Sequence, residues 1–263
     1  MKKQNPDRRP TNMRKEAFIR LWGEHVIVGL VDDSAAMVHR LWLEKKNDPR
    51  LDKLAHMANE RGISVEYWDR KQFDACCQGR HQGIMAEVSL PHQGNEASLK
   101  DRLRESPVPG NWLVLDGITD VHNFGACMRS AAAAGVDGII LPARNSAPLN
   151  PEACRIASGA AHRLSIYRVA NLARTLRLLR DHGVWIIGTA AEGTVSLYDA
   201  DMAGPLALVL GSEHEGLRQL TRRLCDQMVF IPMANGFESL NVSVAAGICL
   251  FEWKRRAPGV LKH

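Results

Sequence analysis

The second half of the chain alternates short apolar segments with amphipathic ones, and this alternation constrains the fold more than any other feature. From Asn111 onward, six runs of four to six mostly apolar residues are each bounded by turn residues. The predicted strands are 112–115, 138–141, 164–169, 184–188, 206–210 and 228–231. Helices are predicted at about 124–135, 151–160, 171–182, 216–226 and 239–255. Apolar strands separated by helices predict an α/β fold with a mostly parallel sheet covered by helices on both faces.

The first third of the chain predicts a second, smaller α/β unit at residues 16–90. Its predicted helices are 25–31 and 48–61, and its predicted strands are 37–43, 64–68 and 84–90. An exposed loop, Arg80–Gly83, precedes the last of these strands. The polar segment 91–108 is predicted to be a linker, so that a separate domain occupies residues 109–263.

The excess positive charge lies in the first fifteen residues. This segment carries a net charge of +5, equal to that of the whole chain of 263 residues, so the remainder is neutral. Two prolines and few apolar residues predict that residues 1–15 are disordered in isolation. A basic segment attracts polyanions, of which RNA is the natural candidate, and a merely solubilising terminus is the alternative.

Composition limits the remaining classes of protein. Apolar residues make up 45% of the chain, as is usual for globular proteins, and no apolar run has membrane-spanning length. The N-terminal residues lack the apolar stretch of a secretory signal, so we expect a cytoplasmic protein. The six cysteines show neither metal-ligand spacing nor a disulfide pattern, so we expect no metal site.

Polar residues interrupt an otherwise apolar segment near the C-terminus. The strand that ends at Ile231 runs through a turn into a predicted helix that begins with Ser239, Asn241 and Ser243 among apolar residues. Polar side chains at the start of a buried helix need partners. One interpretation is that Ser239 caps the helix and the other two satisfy local backbone groups. The other is a ligand site, because ligands bind at the carboxyl ends of parallel strands.

Two other strands run into polar, glycine-containing loops in the same way. After the strand 112–115, Asn123 is placed to cap an alanine-rich helix that contains Arg129; a simple cap and a surface charge are the alternative. After the strand 206–210, Gly211 permits close backbone approach to a ligand. Glu213 and Glu215 follow near a helix start, where one carboxylate can be purely structural.

In this order and context, the three segments resemble motifs 1, 2 and 3 of the SpoU family of RNA ribose 2′-O-methyltransferases. That family belongs to the SPOUT class of knotted enzymes that depend on S-adenosylmethionine. The segments are Asp120–Ser130, Leu208–Leu217 and Ile231–Phe251, and Ser-Leu-Asn-Val-Ser at 239–243 is the most diagnostic. The resemblance extends from about residue 17 to 255, because the first unit resembles the family's small RNA-binding domain, including His81–Ile84. It implies a deep C-terminal trefoil knot, which periodicity does not reveal.

The resemblance also implies ligands and residue roles. S-adenosylmethionine is the implied cofactor, held by Gly211, Ile231 and Leu240, with backbone groups from Met233 and Ala234. The implied catalytic residues are Asn123, Arg129, Glu213, Ser239, Asn241 and Ser243. The implied substrate is structured RNA, most closely a guanosine of 23S rRNA. Related enzymes are homodimers through the last helix, in which Leu250, Phe251 and Trp253 form either an apolar contact or part of the core.

The chemistry requires alignment more than electrophilic help, because the thioether that leaves a sulfonium is neutral. The enzyme must orient a ribose hydroxyl and accept its proton. The resemblance gives Arg129 a central role, yet an arginine has a pKa of roughly 12.5 or more. We therefore interpret Arg129 as positioning the substrate phosphate or hydroxyl and relaying the proton.

Three alternatives differ in substrate or in chemistry. The same reaction on transfer RNA fits the motifs as well, since related enzymes act there. A non-catalytic RNA-binding protein would need only the basic segment and the small unit. An unrelated nucleotide-binding oxidoreductase is disfavoured, because neither G-x-G-x-x-G nor a P-loop sequence occurs in the chain.

Overall fold

The computed structural model describes residues 18–32, 37–77, 79–212, 215–235, 237 and 239–257. These residues form two β-sheets with helices packed against them. The basic segment 1–15 and the candidate residue Glu213 lie outside the described residues, so the expectations for them stay predictions.

The smaller sheet has four strands in the order β1-β4-β2-β3. Strand β4 is antiparallel to β1 and β2, whereas β2 and β3 are parallel. All five elements predicted for this unit are present, and β1 and α3 are additional. The elements are β1 (Phe18–Trp22), α1 (Glu24–Asp32), β2 (Val38–Glu44), α2 (Pro49–Glu60), β3 (Ser64–Trp68), α3 (Arg70–Cys76) and β4 (Ile84–Ser89).

The loop 80–83 before β4 is more buried than the sequence predicts. His81 is buried, and its Nδ1 accepts a hydrogen bond of 2.9 Å from the backbone N–H of Gly83. The proton therefore lies on Nε2, which donates to Asp74 Oδ1 at 3.0 Å. Gly83 has a φ of +75°, and a Cβ there would lie 2.7 Å from the Glu44 Cβ. The loop is thus a packed turn.

The larger sheet has eight strands, in the order β10-β12-β9-β11-β6-β7-β8-β5, and every neighbouring pair is parallel. The predicted α/β fold with a large parallel sheet is confirmed. Its strands are β5 (Gln93–Gly94), β6 (Trp112–Asp116), β7 (Gly138–Pro142), β8 (Ser165–Val169), β9 (Trp185–Thr189), β10 (Val195–Ser196), β11 (Leu206–Gly211) and β12 (Gln227–Phe230). The helices are α4 (Glu96–Glu105), α5 (Val121–Ala134), α6 (Pro151–Ile156), α7 (Leu172–Asp181), α8 (Gln219–Leu224) and α9 (Val242–Arg256), and Ala160–Arg163 form a 3₁₀ turn.

Both faces of the large sheet are covered, which explains the continuous apolar sequence of its strands. In β6, Leu113 and Leu115 belong to one core layer, and Trp112 and Val114 belong to the other. Helices α5, α6 and α9 cover the first face, whereas α4, α7 and α8 cover the second. The apolar residues of α9 at positions 242, 246, 249, 250 and 253 form one buried stripe.

Residues 91–108, which we expected to be a linker, contain β5 and α4. Strand β5 pairs with β8 at the edge of the large sheet. Helix α4 begins at a capping box around Asn95, whose Oδ1 accepts from the N–H groups of Ala97 and Ser98. Its Leu99 and Leu103 are buried in the second core layer. This segment therefore packs as part of the large sheet's surroundings.

The two sheets share one apolar core layer, which contains residues from α1 and β2 as well as from α5 and α6. The His162 Nε2 donates to the Ser89 carbonyl oxygen at 2.9 Å, which links the 3₁₀ turn to the end of β4. The proposed division into two domains stays a prediction. Across the described ranges, no helix has the length and apolar character needed to cross a membrane.

Candidate active site at the carboxyl edge of the large sheet

The polar loops picked out in the sequence lie at one edge of the large sheet. Because β6, β9, β11 and β12 are parallel neighbours, their carboxyl ends meet there. Gly211 is in register with Asp116, so the loops after β11 and β6 start side by side. This is the edge at which parallel α/β sheets bind ligands.

One cavity at this edge, which we call the β12 cavity, has a volume of about 510 Å³. It lies between the loops that follow β9, β11 and β12 and the start of α9. Gly211, Ile231 and Leu240, the three residues expected to hold a cofactor, all line it, as do Met233 and Ser239. Further lining residues include Leu210, Leu217, Val229, Val242 and Ala245. Apolar side chains thus line much of the cavity, which suits a flat, weakly polar group.

Close packing of the backbone requires a glycine at position 211. A Cβ at this position would overlap the backbone of Gly216. Ser212 and Gly216 close the turn between them, with N···O distances of 3.2 and 2.9 Å in the two directions. Gly216 adopts a φ of +62°, which favours glycine. We expected that Gly211 lets a ligand approach the backbone closely. The structure shows that its missing side chain lets the Gly216 backbone, at the other end of this turn, pack against it.

A second cavity of about 390 Å³, the β6 cavity, adjoins the first, and most of its lining residues carry polar side chains. The two share Ser212, Glu215 and Val242 as a common wall. The remaining lining residues of the β6 cavity are Gly117, Ile118, Thr119, Asp120, Asn123, Asn145 and Arg218. Two compartments at one sheet edge can hold two reactants side by side.

Two helix starts meet beside these cavities through a chain of hydrogen bonds. Asn241 is the N-cap of α9, and its Oδ1 accepts from the backbone N–H of Ser243 at 3.0 Å and from the Ser243 hydroxyl at 2.6 Å. Its Nδ2 donates to Asn123 Oδ1 at 2.9 Å. Asn123, Asn241 and Ser243 thus form one connected group.

Two capping predictions are corrected by this geometry. Helix α5 is capped by Asp120, whose Oδ1 accepts from the backbone N–H of Asn123 at 2.7 Å, so Asn123 lies within the first turn. Helix α9 begins at Val242, and Ser239 precedes its cap and lines the β12 cavity. In both cases two candidate caps lie close together in sequence. The N-cap is the residue whose side chain accepts from a backbone N–H in the first turn of the helix, at the third position for α5 and at the second for α9.

Arg129 lies apart from this group. It is exposed in the third turn of α5 and lines neither cavity. Within the described part of the chain its guanidinium has no hydrogen bond or ion pair. An unpaired, exposed guanidinium is free to contact a molecule outside this chain.

A buried carboxylate holds one of the residues that line the β6 cavity. Asp116, at the end of β6, is 1% exposed. Its Oδ2 accepts from the backbone N–H of Arg218 at 3.2 Å, and its Oδ1 lies 3.4 Å from Arg218 Nη1 without hydrogen-bond geometry. This pairing holds the Arg218 side chain where it lines the β6 cavity.

Several lining residues were not predicted. The end of β9 and the loop after it also line the β12 cavity, at Thr189, Ala190, Ala191 and Glu192. Glu192 forms an ion pair with Arg222 there. Asn145 lies in the loop after β7 and has a φ of +55°, uncommon outside glycine. The signal available in the sequence was that each loop follows a predicted strand of the parallel sheet, because all such strands end at this edge.

The buried cysteines contribute apolar volume to the core. Burial raises the pKa of Cys127, Cys154 and Cys249 to about 12. Every cysteine of the chain is described and none forms a disulfide. Among the described residues, no group of His, Cys, Asp or Glu is arranged to hold a metal ion.

The same fold occurs in methyltransferases of known structure. The rRNA methyltransferase from Sinorhizobium meliloti, determined with bound AdoMet, aligns with a TM-score of 0.72 and 25% identity over 90% of this chain and 87% of that one. AviRb from Streptomyces viridochromogenes, a SpoU methyltransferase in complex with AdoMet, has a TM-score of 0.73 and 23% identity over 94% of each chain. At that identity the second comparison shows the fold alone.

Sequence comparison gives the family. Residues 110–251 match the SpoU rRNA methylase family, and residues 20–94 match the substrate-binding region of RNA 2′-O ribose methyltransferases. The chain belongs to the SpoU rRNA methylase family. The 23S rRNA (guanosine-2′-O-)-methyltransferase RlmB of Pseudomonas syringae pv. tomato is 43% identical over 90% of this chain and 95% of its own length. RlmB of Escherichia coli K12 is 44% identical over 90% of this chain and 98% of its own length.

Proposed function

We propose that this protein transfers a methyl group from S-adenosylmethionine to the ribose 2′-hydroxyl of a guanosine in 23S rRNA. The observation that carries the proposal is the pair of adjoining cavities, with the residues Ser212, Glu215 and Val242 of the second and third motif segments at their junction. The RlmB relatives, which match over nine-tenths of the chain, support this substrate over transfer RNA.

The β12 cavity fits the cofactor. Leu217, Ile231 and Leu240 contribute apolar side chains to its lining, and Thr189, Ser239 and the Glu192–Arg222 ion pair contribute polar groups. An adenine ring needs apolar walls, and the amino acid part of the cofactor needs polar groups at the rim. When bound, the cofactor supplies an electrophilic methyl group on sulfur.

The chain's own residues orient the hydroxyl that accepts the methyl group. Asn123 and Asn241 are held by their mutual hydrogen bond of 2.9 Å, so their remaining polar atoms keep fixed directions. Ser239 lines the β12 cavity and Asn123 lines the β6 cavity, so the candidate catalytic residues lie on both sides of the junction. Glu213 and Ser243 complete the proposed catalytic set by family resemblance.

Arg129 acts on RNA in this proposal. Its exposed and unpaired guanidinium, outside both cavities among the described residues, suits a contact with a phosphate or with the reacting ribose. The Cζ atoms of Arg20 and Arg40 on the small sheet lie 5.2 and 5.6 Å from the centroid of the Trp42 ring. These arginines also pair with Glu87 and Glu66, and their half-exposed guanidinium groups are the proposed second contact with the substrate. The match of residues 20–94 to a substrate-binding region supports this second contact.

We also propose a homodimer through α9. Leu250 and Trp253 are buried within the chain, whereas Val244 and Phe251 are 50% and 49% exposed on the same helix. The exposed pair supports an apolar contact between two copies. Replacing Phe251 by Glu is expected to convert a dimer to a monomer in light scattering; a monomeric unaltered protein would contradict the interface.

Two further features follow from the family. The sheet places β11 between β6 and β9, and α9 returns to pack on β11 and α5. This path supports the C-terminal knot that SPOUT proteins share, which we propose for this chain. We propose a cytoplasmic location, where ribosomal RNA is found.

Ribose methylation should be mapped across 23S rRNA and transfer RNA from cells with and without the gene. The expected result is one guanosine of 23S rRNA that loses its 2′-O-methyl group in the deletion and regains it with the wild-type gene. Loss at a transfer RNA position would shift the substrate, and no loss anywhere would overturn the proposed activity.

A further inference from the structure

The loop after β11 presents a carboxylate to which the proposed reaction gives no role. Glu215 lines the β6 cavity, the β12 cavity and a third cavity beside the loop after β7. Its side chain is exposed, and its carboxylate has no hydrogen bond or ion pair within the part of the chain that the structure describes. A charged group at the meeting point of three cavities is placed to contact a ligand.

The backbone of Glu215 is held in place. Its N–H donates to Ser212 Oγ at 3.1 Å, inside the turn that Ser212 and Gly216 close. The contact of this turn with Gly211 fixes it against the end of β11. The carboxylate therefore starts from a rigid position.

The position of Glu215 on the shared wall indicates which ligand it meets. If the cofactor occupies the β12 cavity, as proposed above and as this inference requires, the nucleoside must approach the methyl group from the adjoining β6 cavity. Ser212, Glu215 and Val242 then separate the two reactants. Enzymes that act on a nucleotide in structured RNA commonly hold its unstacked base in such a pocket.

We propose that Glu215 reads the Watson–Crick edge of the target guanine in the β6 cavity. Guanine presents N1–H and the 2-amino group there as adjacent donors, and a carboxylate offers two acceptor oxygens. Adenine presents the N1 lone pair in the same place, which a carboxylate repels. The residue therefore selects guanosine rather than contributing to methyl transfer itself.

The other polar residues of the β6 cavity are less suited to this selection. One Asp120 oxygen already accepts the N–H of Asn123 at 2.7 Å. The Asn145 carboxamide carries both a donor and an acceptor, so it can pair with either purine. Arg218 pairs with the buried Asp116 and forms no ion pair with Glu215 in the structure. Its guanidinium lines the same cavity and can contact a phosphate of the substrate.

The test uses the full-length protein and RNA transcripts in which the mapped target guanosine is kept or replaced by inosine, which lacks the 2-amino group. For the wild type, inosine is expected to lower kcat/KM roughly 10- to 100-fold, the range of a lost bidentate contact. In Glu215→Gln the rate on guanosine should fall by a similar factor, and the further penalty for inosine should disappear. The Kd for S-adenosylmethionine should not change.

Glu152→Gln is the matched control, because Glu152 pairs with His122 at 3.2 Å and lines none of the three cavities. It should keep the wild-type inosine penalty. An unchanged inosine penalty in Glu215→Gln would overturn the inference, and a raised cofactor Kd with unchanged base preference would assign Glu215 to the cofactor instead. A wild-type protein that fails on the guanosine transcript would overturn the proposed function itself, so the two failures are distinguishable.

Discussion

The two adjoining cavities differ in how their walls are built. The β12 cavity is lined mainly by apolar side chains and by the backbone of glycine-containing turns, and its shape depends on close backbone contacts such as that between Gly211 and Gly216. The β6 cavity is lined by Asp120, Asn123, Asn145, Glu215 and Arg218, whose directions depend on hydrogen bonds. The first is suited to recognise shape, and the second to recognise a pattern of donors and acceptors. Damage to each should therefore be separable by experiment.

The largest expected effect comes from a residue in neither cavity. Arg129→Ala should lower methylation roughly 10²- to 10³-fold, because a positioned cation that contacts the reacting nucleotide is lost. The Kd for S-adenosylmethionine, measured by calorimetry, should stay near the wild-type value, since Arg129 does not line the β12 cavity. Arg177→Ala, which removes another exposed arginine, is the control and should retain activity. Near wild-type methylation by the first variant would remove Arg129 from the mechanism.

The second effect should be seen in cofactor binding. In Gly211→Ala the new methyl group overlaps the Gly216 backbone and displaces the turn. Overpacking of this kind costs roughly 1–3 kcal/mol, so the cofactor Kd should rise and Tm should fall. Gly29→Ala has nothing within 4 Å of the new Cβ and serves as control. Unchanged cofactor affinity in Gly211→Ala would show that the turn does not shape the site.

The third effect should fall on both stability and activity. Asn241→Ala removes the cap of α9 and the bond to Asn123, which should cost roughly 1–2 kcal/mol in unfolding free energy and also reduce kcat. Asn171→Ala removes an equivalent cap from α7, where Asn171 Oδ1 accepts from the Arg174 N–H at 3.0 Å. It should lower stability by a similar amount in urea unfolding but leave kcat unchanged. Equal loss of activity in the two variants would mean that Asn241 matters only for folding.

The smallest effect should come from the far end of α9. Pairing with Arg255 and Arg256 lowers the pKa of Glu252 from 4.5 to about 2. A lowered folded-state pKa means that this stabilisation is present above about pH 4.5 and is lost as the pH falls towards about 2. Glu252→Gln should therefore be less stable than the wild type near pH 7, with a difference that shrinks in acid and with normal cofactor affinity. A difference that does not depend on pH would contradict the pairing.

The sequence predicted the strands of the large sheet well, because burial on both faces leaves them continuously apolar. Strand β1 and helix α3 were missed, since both are short: β1 buries only Ile19 and Leu21, and α3 buries only Phe73. The segment 91–108 was misjudged because α4 buries only Leu99 and Leu103 among charged residues. Apolar pattern is a weak signal for elements of this kind.

The site was predictable in its parts and less so in its arrangement. Gly211 ends β11, whereas Ile231 and Leu240 follow β12, and the three meet in one cavity because the carboxyl ends of parallel strands share one edge. The bond between Asn123 and Asn241 joins residues 118 positions apart, which local sequence does not reveal. The loop after β9 was missed for the same reason, since its place depends on β9 lying between β11 and β12.

The most direct test of the account is methyl transfer by the purified protein to unmethylated 23S rRNA and to transfer RNA, with S-adenosylmethionine labelled on its methyl group. We expect label at the ribose of one guanosine in 23S rRNA, none in transfer RNA, and roughly 10²- to 10³-fold slower labelling with Arg129→Ala. Label on a base, label in transfer RNA alone, or no transfer by a folded protein that binds the cofactor would contradict it.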